Sequence, residues 1–429
     1  MDVVYDVSRL STRVLNATPN GIDWIDALLA DHFLSGDQGA HALLFGFRGP
    51  RLFGPGVLPN PVPDLDLAWG RAAEPLLPRT PDWLVAALND QSFGPVRESP
   101  NSLLRGKALK AARVARALKR YGLARGARPA AAAPAGAIYL NASHYPLELE
   151  RHVAWLDERA DVKPVFFIHD ILPVLQPDLF WNSEPERHAR RLDLLARNGA
   201  GAVVTSSVVA DGLRAELGRR GRDDLPIHIA APPVAPIFRA PVSSDGRLAD
   251  IRYFVVCGTI EPRKNHLMLF EVWRRLVGRK GKDAPKLVVV GKRGWHCEEI
   301  VSAMHNPDLK GTVIEASGLS TDAYRSLLAQ ACALLSPTFA EGFGLPVAEA
   351  LAAGVPTIVS DIPSHRELGG ATPLYLDPTR MLDWYDAVEA RSSIPRQISG
   401  QATAGIAGHR PVDPKRYVRD FDLFLGSLF

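Results

Sequence analysis

The stretch AEGFGLPVAEALAAGVPTIVSD, Ala340–Asp361, decides how this chain folds. It follows a short apolar run, ALLSP at Ala333–Pro337. It then presents a Gly-Phe-Gly turn, the helical pattern PVAEALAAG and a second apolar run, VPTIVS at Val355–Ser360. Strand, glycine turn, helix and strand in that order form the unit of a parallel sheet covered by helices. Pro346 suits the first helical position and Gly354 the end. The Gly342–Gly344 amides and a helix N-terminus then sit together at the carboxyl edge of a sheet, a place that binds phosphate. Two carboxylates flank it, Glu341 in the loop and Glu349 near the first helical turn. An acid there is ordinary dipole stabilisation. With a nucleotide bound, one carboxylate would accept hydrogen bonds from ribose hydroxyls and the other would face a sugar. A sugar nucleotide carries hydroxyls on both sides of its phosphates and so has the matching shape.

Working outward, the same alternation recurs. AIYLN (Ala137–Asn141), VFFIH (Val165–His169) and AVVTS (Ala202–Ser206) read as buried strands, as do YFVVCG (Tyr253–Gly258) and KLVVVG (Lys286–Gly291). Helical patterns such as Leu267–Val277 and Asp322–Cys332 lie between them. The Pro-rich segment Ile229–Asp250 interrupts the pattern and reads as an interdomain linker, and ARPAAAAPAGA (Ala127–Ala137) reads as a connector. The fold class is α/β, with two domains at residues 1–240 and 250–410. A last helix, 411–429, carries Tyr417, Phe421, Phe424 and Leu425 at helical spacing and needs a surface to cover. Ligands of such folds bind between the domains, at the carboxyl ends of the strands.

Composition sets bounds. At 429 residues, 46% hydrophobic and 23% charged, the chain suits two globular domains with their own cores. Asp2 and Asp6 stand where a secretory signal needs a basic start, and no run approaches the roughly 20 apolar residues of a membrane span. The expected location is cytoplasmic. Cys257, Cys297 and Cys332 are widely separated, lack metal-ligand spacing and read as reduced thiols. A net charge of +3 argues no nucleic-acid partner. The charge is concentrated in Arg105–Arg128, where basic residues recur without an Asp or Glu. Two readings stand for this segment, a solvated helical face and a surface resting on anionic lipid headgroups at the inner face of the cell membrane.

A second loop lies on the same edge as the first. GTIEPRKNH, Gly258–His266, follows the strand YFVVC and places Arg263 and Lys264 at a strand-to-helix turn, where they could neutralise a diphosphate. Together the two loops, the E-x7-E pair Glu341 and Glu349, VVVGKRGW (Val288–Trp295) and PSHRELGG resemble the retaining glycosyltransferases of family 4, which have the two-domain GT-B fold of facing Rossmann-like units. The resemblance spans the C-terminal domain. It extends more loosely to VVYDVSRL, TPNGID, YLNASHY, FFIHDILP and VVTSSVVADGL in the first, and Phe45–Ala130 is least covered.

The resemblance implies a nucleotide-sugar donor bound mainly to the second domain. Glu349 would hold the ribose, and Lys264 and the Gly342, Phe343, Gly344 and Leu345 backbone the diphosphate, beside Gly258 and Thr259. Glu341 would meet the transferred sugar. His169 would reach that sugar from the first domain and Gly21 would lie near the phosphates, with Asp170 and His144 toward the acceptor. Where many relatives have Gly-Arg this chain has Gly258-Thr259, which leaves the phosphate-binding role to Arg263. Trp24 stands where relatives often carry Arg. The Asp-x-Asp pairs Asp64/Asp66 and Asp420/Asp422 fall away from the phosphate loop, so the expectation is a reaction with no metal and no cofactor. The favoured reading is transfer of mannose from GDP-mannose to a lipid-linked (polyprenyl-linked) or growing surface glycan. A phosphorylase or epimerase of the same fold and a non-catalytic nucleotide-sugar-binding scaffold are the alternatives.

Overall fold

The computed structural model describes residues 1–13, 21–35, 40–46, 49–57, 61–63, 65, 80–89, 126–240, 242, 245–394 and 411–429. The basic run from Arg105 to Arg125 and the pair Asp64/Asp66 lie outside them.

The first sheet contains β1 (Val3–Asp6), β2 (His41–Gly46), β3 (Gly49–Phe53), β4 (Ile138–Asn141), β5 (Lys163–Ile168), β6 (Gly201–Val204) and β7 (Ile227–Ile229). Its order is β3-β2-β1-β4-β5-β6-β7, parallel except for β3, which turns back antiparallel on β2. The second sheet contains β8 (Tyr253–Cys257), β9 (Lys286–Val290), β10 (Val313–Ala316), β11 (Leu334–Ser336), β12 (Thr357–Ser360) and β13 (Leu374–Leu376). These strands are all parallel, in the order β10-β9-β8-β11-β12-β13. Each sheet reverses direction beside its first strand, between β1 and β4 and between β8 and β11. That reversal opens the crevice where ligands of doubly wound sheets bind.

Both faces of each sheet are buried, which is why the strands read as unbroken apolar runs. Tyr253, Val255, Val288, Val290 and Leu334 enter one core of the second domain. Their neighbours Phe254, Val256, Leu287, Val289 and Leu335 enter the other, as the two-residue period of a strand requires. In the first domain Val3, Tyr5, Leu140 and Phe167 alternate in the same way with Val4, Tyr139 and Phe166.

Three findings refine the reading of the sequence. Ile229, the expected start of the linker, ends β7, and Val234, Phe238 and Leu248 within the linker pack into the core of the second domain. The terminal helix Pro414–Gly426 buries Tyr417, Phe421 and Leu425 in the core of the first domain, against Phe33 of the helix Gly21–Ser35. The helix Asp82–Leu88 is early in sequence, yet it buries Leu84, Val85 and Leu88 in the core of the second domain. Arg247 secures this arm by an ion pair with Asp82 at 2.6 Å and a hydrogen bond to the Thr80 carbonyl at 2.9 Å.

Candidate functional site

The loops after β8 and β11 meet at the switch point of the second sheet. After β11 the chain runs through Thr338–Gly344 into the helix Leu345–Ala352. Gly344 is the N-cap at φ 97°, and a Cβ there would lie 3.2 Å from His365 Cδ2. Gly342 is pressed against the first domain, where a Cβ would lie 2.9 Å from the His169 carbonyl and 2.8 Å from Asp170 Cβ. Glycine is therefore required at both positions, at Gly344 by conformation and at Gly342 by space. Pro346 occupies the second helical position rather than the first. Glu349 then lies beyond the first turn, too far along for the dipole to account for it, because that effect fades within one turn.

Glu341 is the centre of charge. Arg263 Nη1 donates to its Oε2 at 3.0 Å, and Lys264 Nζ pairs with its Oε1. Arg263 also meets Glu261 Oε1 at 2.7 Å and lies over the Phe180 ring at 5.8 Å. Burial pushes the Glu341 carboxyl up, but Lys264 and Arg263 overcome it and hold it at about 2. Arg263 itself is raised, because Glu341, Glu261 and Asp170 outweigh its burial. Glu349 is the opposite case. It is partly buried near Cys257 and Tyr324, no cation offsets the burial, and its carboxyl is pushed up to about 8.

The first domain supplies the opposite wall. His169 directly follows β5, stacks on Phe167 with centroids 4.2 Å apart, and its Nε2 meets the Ala142 carbonyl at 2.7 Å. Nε2 then carries the proton, and burial holds the imidazole down at about 3. His144, with φ 48°, packs edge-on against both His169 and His188, and burial and the nearby Arg191 hold it well below the usual range. Asp170, expected toward the acceptor, lies beside Gly342, and its Oδ1 is buried without a hydrogen-bond partner. Gly21 begins the helix Gly21–Ser35, and a Cβ there would lie 3.0 Å from Leu345 Cδ2. Gly21 of the first domain thus meets the first residue of the helix Leu345–Ala352. Gly258, at φ 142°, packs against the Lys264 stem, and Thr259 is exposed. Trp24 Nε1 donates to the Pro233 carbonyl of the linker at 3.0 Å.

Several residues of the sequence motifs contribute here beyond the roles the motifs imply. Glu261, within EPRKN, braces Arg263. His365, within PSHRELGG, is fully buried. Its Nδ1 meets the Ser360 carbonyl at 3.0 Å, and its Nε2, close to Gly344, has no partner. Ser206 and Glu367 join the domains, as described below. Asp422 meets His32 at 2.9 Å and Asp420 meets Arg416 at 3.3 Å, both on the terminal helix. Among the described residues, no group of three or more His, Cys, Asp or Glu is arranged to hold a metal ion.

Residues 251–390 match the family model Glycosyl transferases group 1. The match covers the domain that carries both loops. Over 247 residues the chain is 28% identical to the serotype-specific mannosyltransferase WbdA of Escherichia coli, which spans 54% of this chain and 29% of that protein. It is 31% identical to the Escherichia coli O-antigen chain mannosyltransferase B over 158 residues, or 37% of this chain and 40% of the relative. The chain therefore aligns with less than half the length of either protein. Among solved structures, sucrose-phosphate synthase from Thermosynechococcus elongatus superposes with a TM-score of 0.61 at 14% identity, covering 100% of this chain and 99% of that one. Anabaena Alr3699/HepE, solved with UDP, superposes at 0.57 and 13% identity over 99% of each chain. At these identities the likeness establishes the fold alone, a GT-B architecture whose second half is the region that matches the family model.

Proposed function

We propose that the chain is a retaining glycosyltransferase that moves mannose from a nucleotide-sugar donor, GDP-mannose, to a glycan or polyprenyl-linked glycan acceptor. The observation that carries this reading is the meeting of Glu341, Arg263 and Lys264 with the N-terminus of the helix Leu345–Ala352 at the β8/β11 switch point. Cations and free amides suit a diphosphate, and the carboxylates beside them suit the hydroxyls of a sugar and a ribose. The two relatives are mannosyltransferases, which supports mannose.

In this reading Glu349 receives the ribose hydroxyls. Arg263, Lys264 and the Gly342–Leu345 backbone, with Gly258 and Thr259 alongside, take the diphosphate. Gly21 flanks it, while Glu341 and His169 hold the sugar. As the bond from the anomeric carbon to phosphate breaks, charge grows on the departing diphosphate, and the two cations and the helix N-terminus stabilise it with no metal or cofactor assigned to the step. The acceptor hydroxyl attacks from the same face, a donor phosphate oxygen takes its proton, and configuration is retained. In the same reading Asp170 and His144 orient the acceptor. A polyprenyl-linked acceptor would bring the chain to an anionic membrane surface, where the basic segment Arg105–Arg128 would act. Among the described residues no helix is long and apolar enough to cross a membrane.

Thermal unfolding with GDP, UDP, ADP and their common sugar conjugates, each with and without Mg²⁺, tests the reading. A ligand at 100 times its dissociation constant stabilises by about 2.7 kcal/mol. GDP-mannose should raise the midpoint selectively and to the same extent without Mg²⁺. No shift with any nucleotide would overturn the assignment.

A further inference from the structure

Glu367 belongs to the second domain, on the helix Pro363–Gly369, yet its carboxylate is bonded to the first domain. The Ser207 amide donates to Oε1 at 2.8 Å, the Ser207 hydroxyl to Oε2 at 2.7 Å and the Val208 amide to Oε2 at 3.4 Å. These amides open the helix Ser207–Gly218, so the carboxylate occupies the positive end of a twelve-residue helix. One residue earlier, the N-cap Ser206 accepts from the Val209 amide at 3.2 Å and donates its hydroxyl to the Gly342 carbonyl at 2.8 Å. A single helix start therefore grips the second domain twice, once at the helix after β12 and once at the phosphate loop itself. That grip holds Gly342 against the His169 carbonyl and Asp170, where only a glycine fits.

At another point of the same interface the contacts are aromatic. Phe180 stacks on Trp295 with centroids 5.9 Å apart, and Trp181 stacks on His296 at 5.4 Å. These rings slide and separate without leaving a charge behind. The Glu367 contact is directional and charged, and it reaches the phosphate loop through Ser206. We propose that Glu367 and Ser206 are positioning residues that latch the cleft shut and set the Gly342 loop in register with His169, so that donor is consumed by the acceptor rather than by water. The inference rests on the glycosyltransferase reading for its chemical consequence but not for its geometry.

In the side reaction that the latch suppresses, a water oxygen attacks the anomeric carbon, the nucleoside diphosphate leaves and free sugar forms. Glu367→Ala removes all three bonds. Glu367→Gln keeps one oxygen acceptor, but its amide nitrogen faces the donors of Ser207 and Val208. Ser206→Ala frees the loop from the helix while keeping Glu367. The closing experiment has two readouts on the full chain: the distance between spin labels at Asp211 and Ala371, one on each domain, and the ratio of donor hydrolysis to transfer.

The closed-to-open ratio should fall about tenfold in Glu367→Ala, the size of effect that a charge-assisted hydrogen bond supplies. Hydrolysis relative to transfer should rise by a similar factor, while nucleotide affinity stays within about twofold and Glu367→Asp recovers part of the loss. A parent-like distance distribution and hydrolysis ratio in both Glu367→Ala and Ser206→Ala would overturn the proposal. If the parent turns over no nucleotide sugar, the functional assignment falls, and the label distances alone still decide the latch.

Discussion

Glu341 is an acid surrounded by the groups that an anionic ligand would want. Arg263 and Lys264 both bind it, which keeps the two cations folded toward the cleft and costs a diphosphate little reorganisation when it replaces one bond with another. Removing the carboxylate and removing a cation should therefore differ in kind. Lys264→Ala should weaken nucleotide binding roughly 10- to 100-fold, the range of a hydrogen bond to a charged group, and lower transfer with it. Glu341→Ala should leave nucleotide affinity nearly intact and cut transfer about a hundredfold, the loss typical of a preorganised polar group at the reacting centre. Calorimetry beside initial rates separates the two, and equal activity in Glu341→Ala and the parent would remove the role given to Glu341. Glu349 makes a pH prediction. Its carboxyl titrates near 8 because burial disfavours the charged form, so between the ordinary carboxylate range and pH 8 the folded chain holds a proton that the unfolded chain has released. That group therefore subtracts stability as pH rises through this window. Ribose hydroxyls donating to the carboxylate would favour its charged form, so nucleotide binding should release a proton below pH 8 and tighten as pH rises toward it. Glu349→Gln should abolish both the proton release, read as a buffer-dependent binding heat, and the slope.

At the scale of single elements, Gly344 shows what a turn contributes. Its φ of 97° and the 3.2 Å approach to His365 make Gly344→Ala costly twice over, by about 1–2 kcal/mol for the backbone and more for the displaced imidazole. The expected result is a folded protein whose loop no longer presents its amides and whose nucleotide-induced thermal shift is lost; an unchanged shift would show that the loop tolerates another conformation. Much at this scale was legible. β4, β5, β6, β8, β9, β11 and β12 announce themselves as apolar runs because both sheet faces are buried, and the loops after β8 and β11 lie, as their order implies, on one edge of the second sheet. β3 and β7 were the least legible of the six strands that those runs leave out. Gly49–Phe53 contains Gly49, Pro50 and Arg51, and Ile227–Ile229 has three residues ending at a Pro-rich stretch, so edge pairing rather than composition makes them strands. The partners of a side chain were less legible still. Nothing in PSHRELGG says that His365 turns inward beneath Gly344 while Glu367 turns outward to another domain, because that depends on which face of a short helix meets the cleft.

For the molecule as a whole, the order of the chain and the order of the domains differ. The terminal helix Pro414–Gly426 returns from the second domain to the core of the first, and the arm Thr80–Asn89 goes the other way, from the first half of the sequence to the edge of the second sheet beside β10. The arm falls in Phe45–Ala130, the part of the chain least covered by the family resemblance, and its helix of seven residues gives a weak periodic signal. Two segments exchanged in opposite directions mean that neither domain is complete without chain from the other half, so opening of the cleft must carry the arm with the second domain and the terminal helix with the first. Leu84 provides the test. It is fully buried in the core that also holds Phe238, Leu248 and Ile314, so Leu84→Ala should cost about 2–5 kcal/mol, depending on how far the site collapses. Hydrogen exchange locates that cost. If the arm belongs to the second core, amides of β9 and β10 lose protection while those of β2 and β4 keep theirs, because local opening follows the core a residue supports rather than its place in the sequence. Loss of protection in β2 and β4 instead would return the arm to the first domain and leave the second sheet self-sufficient.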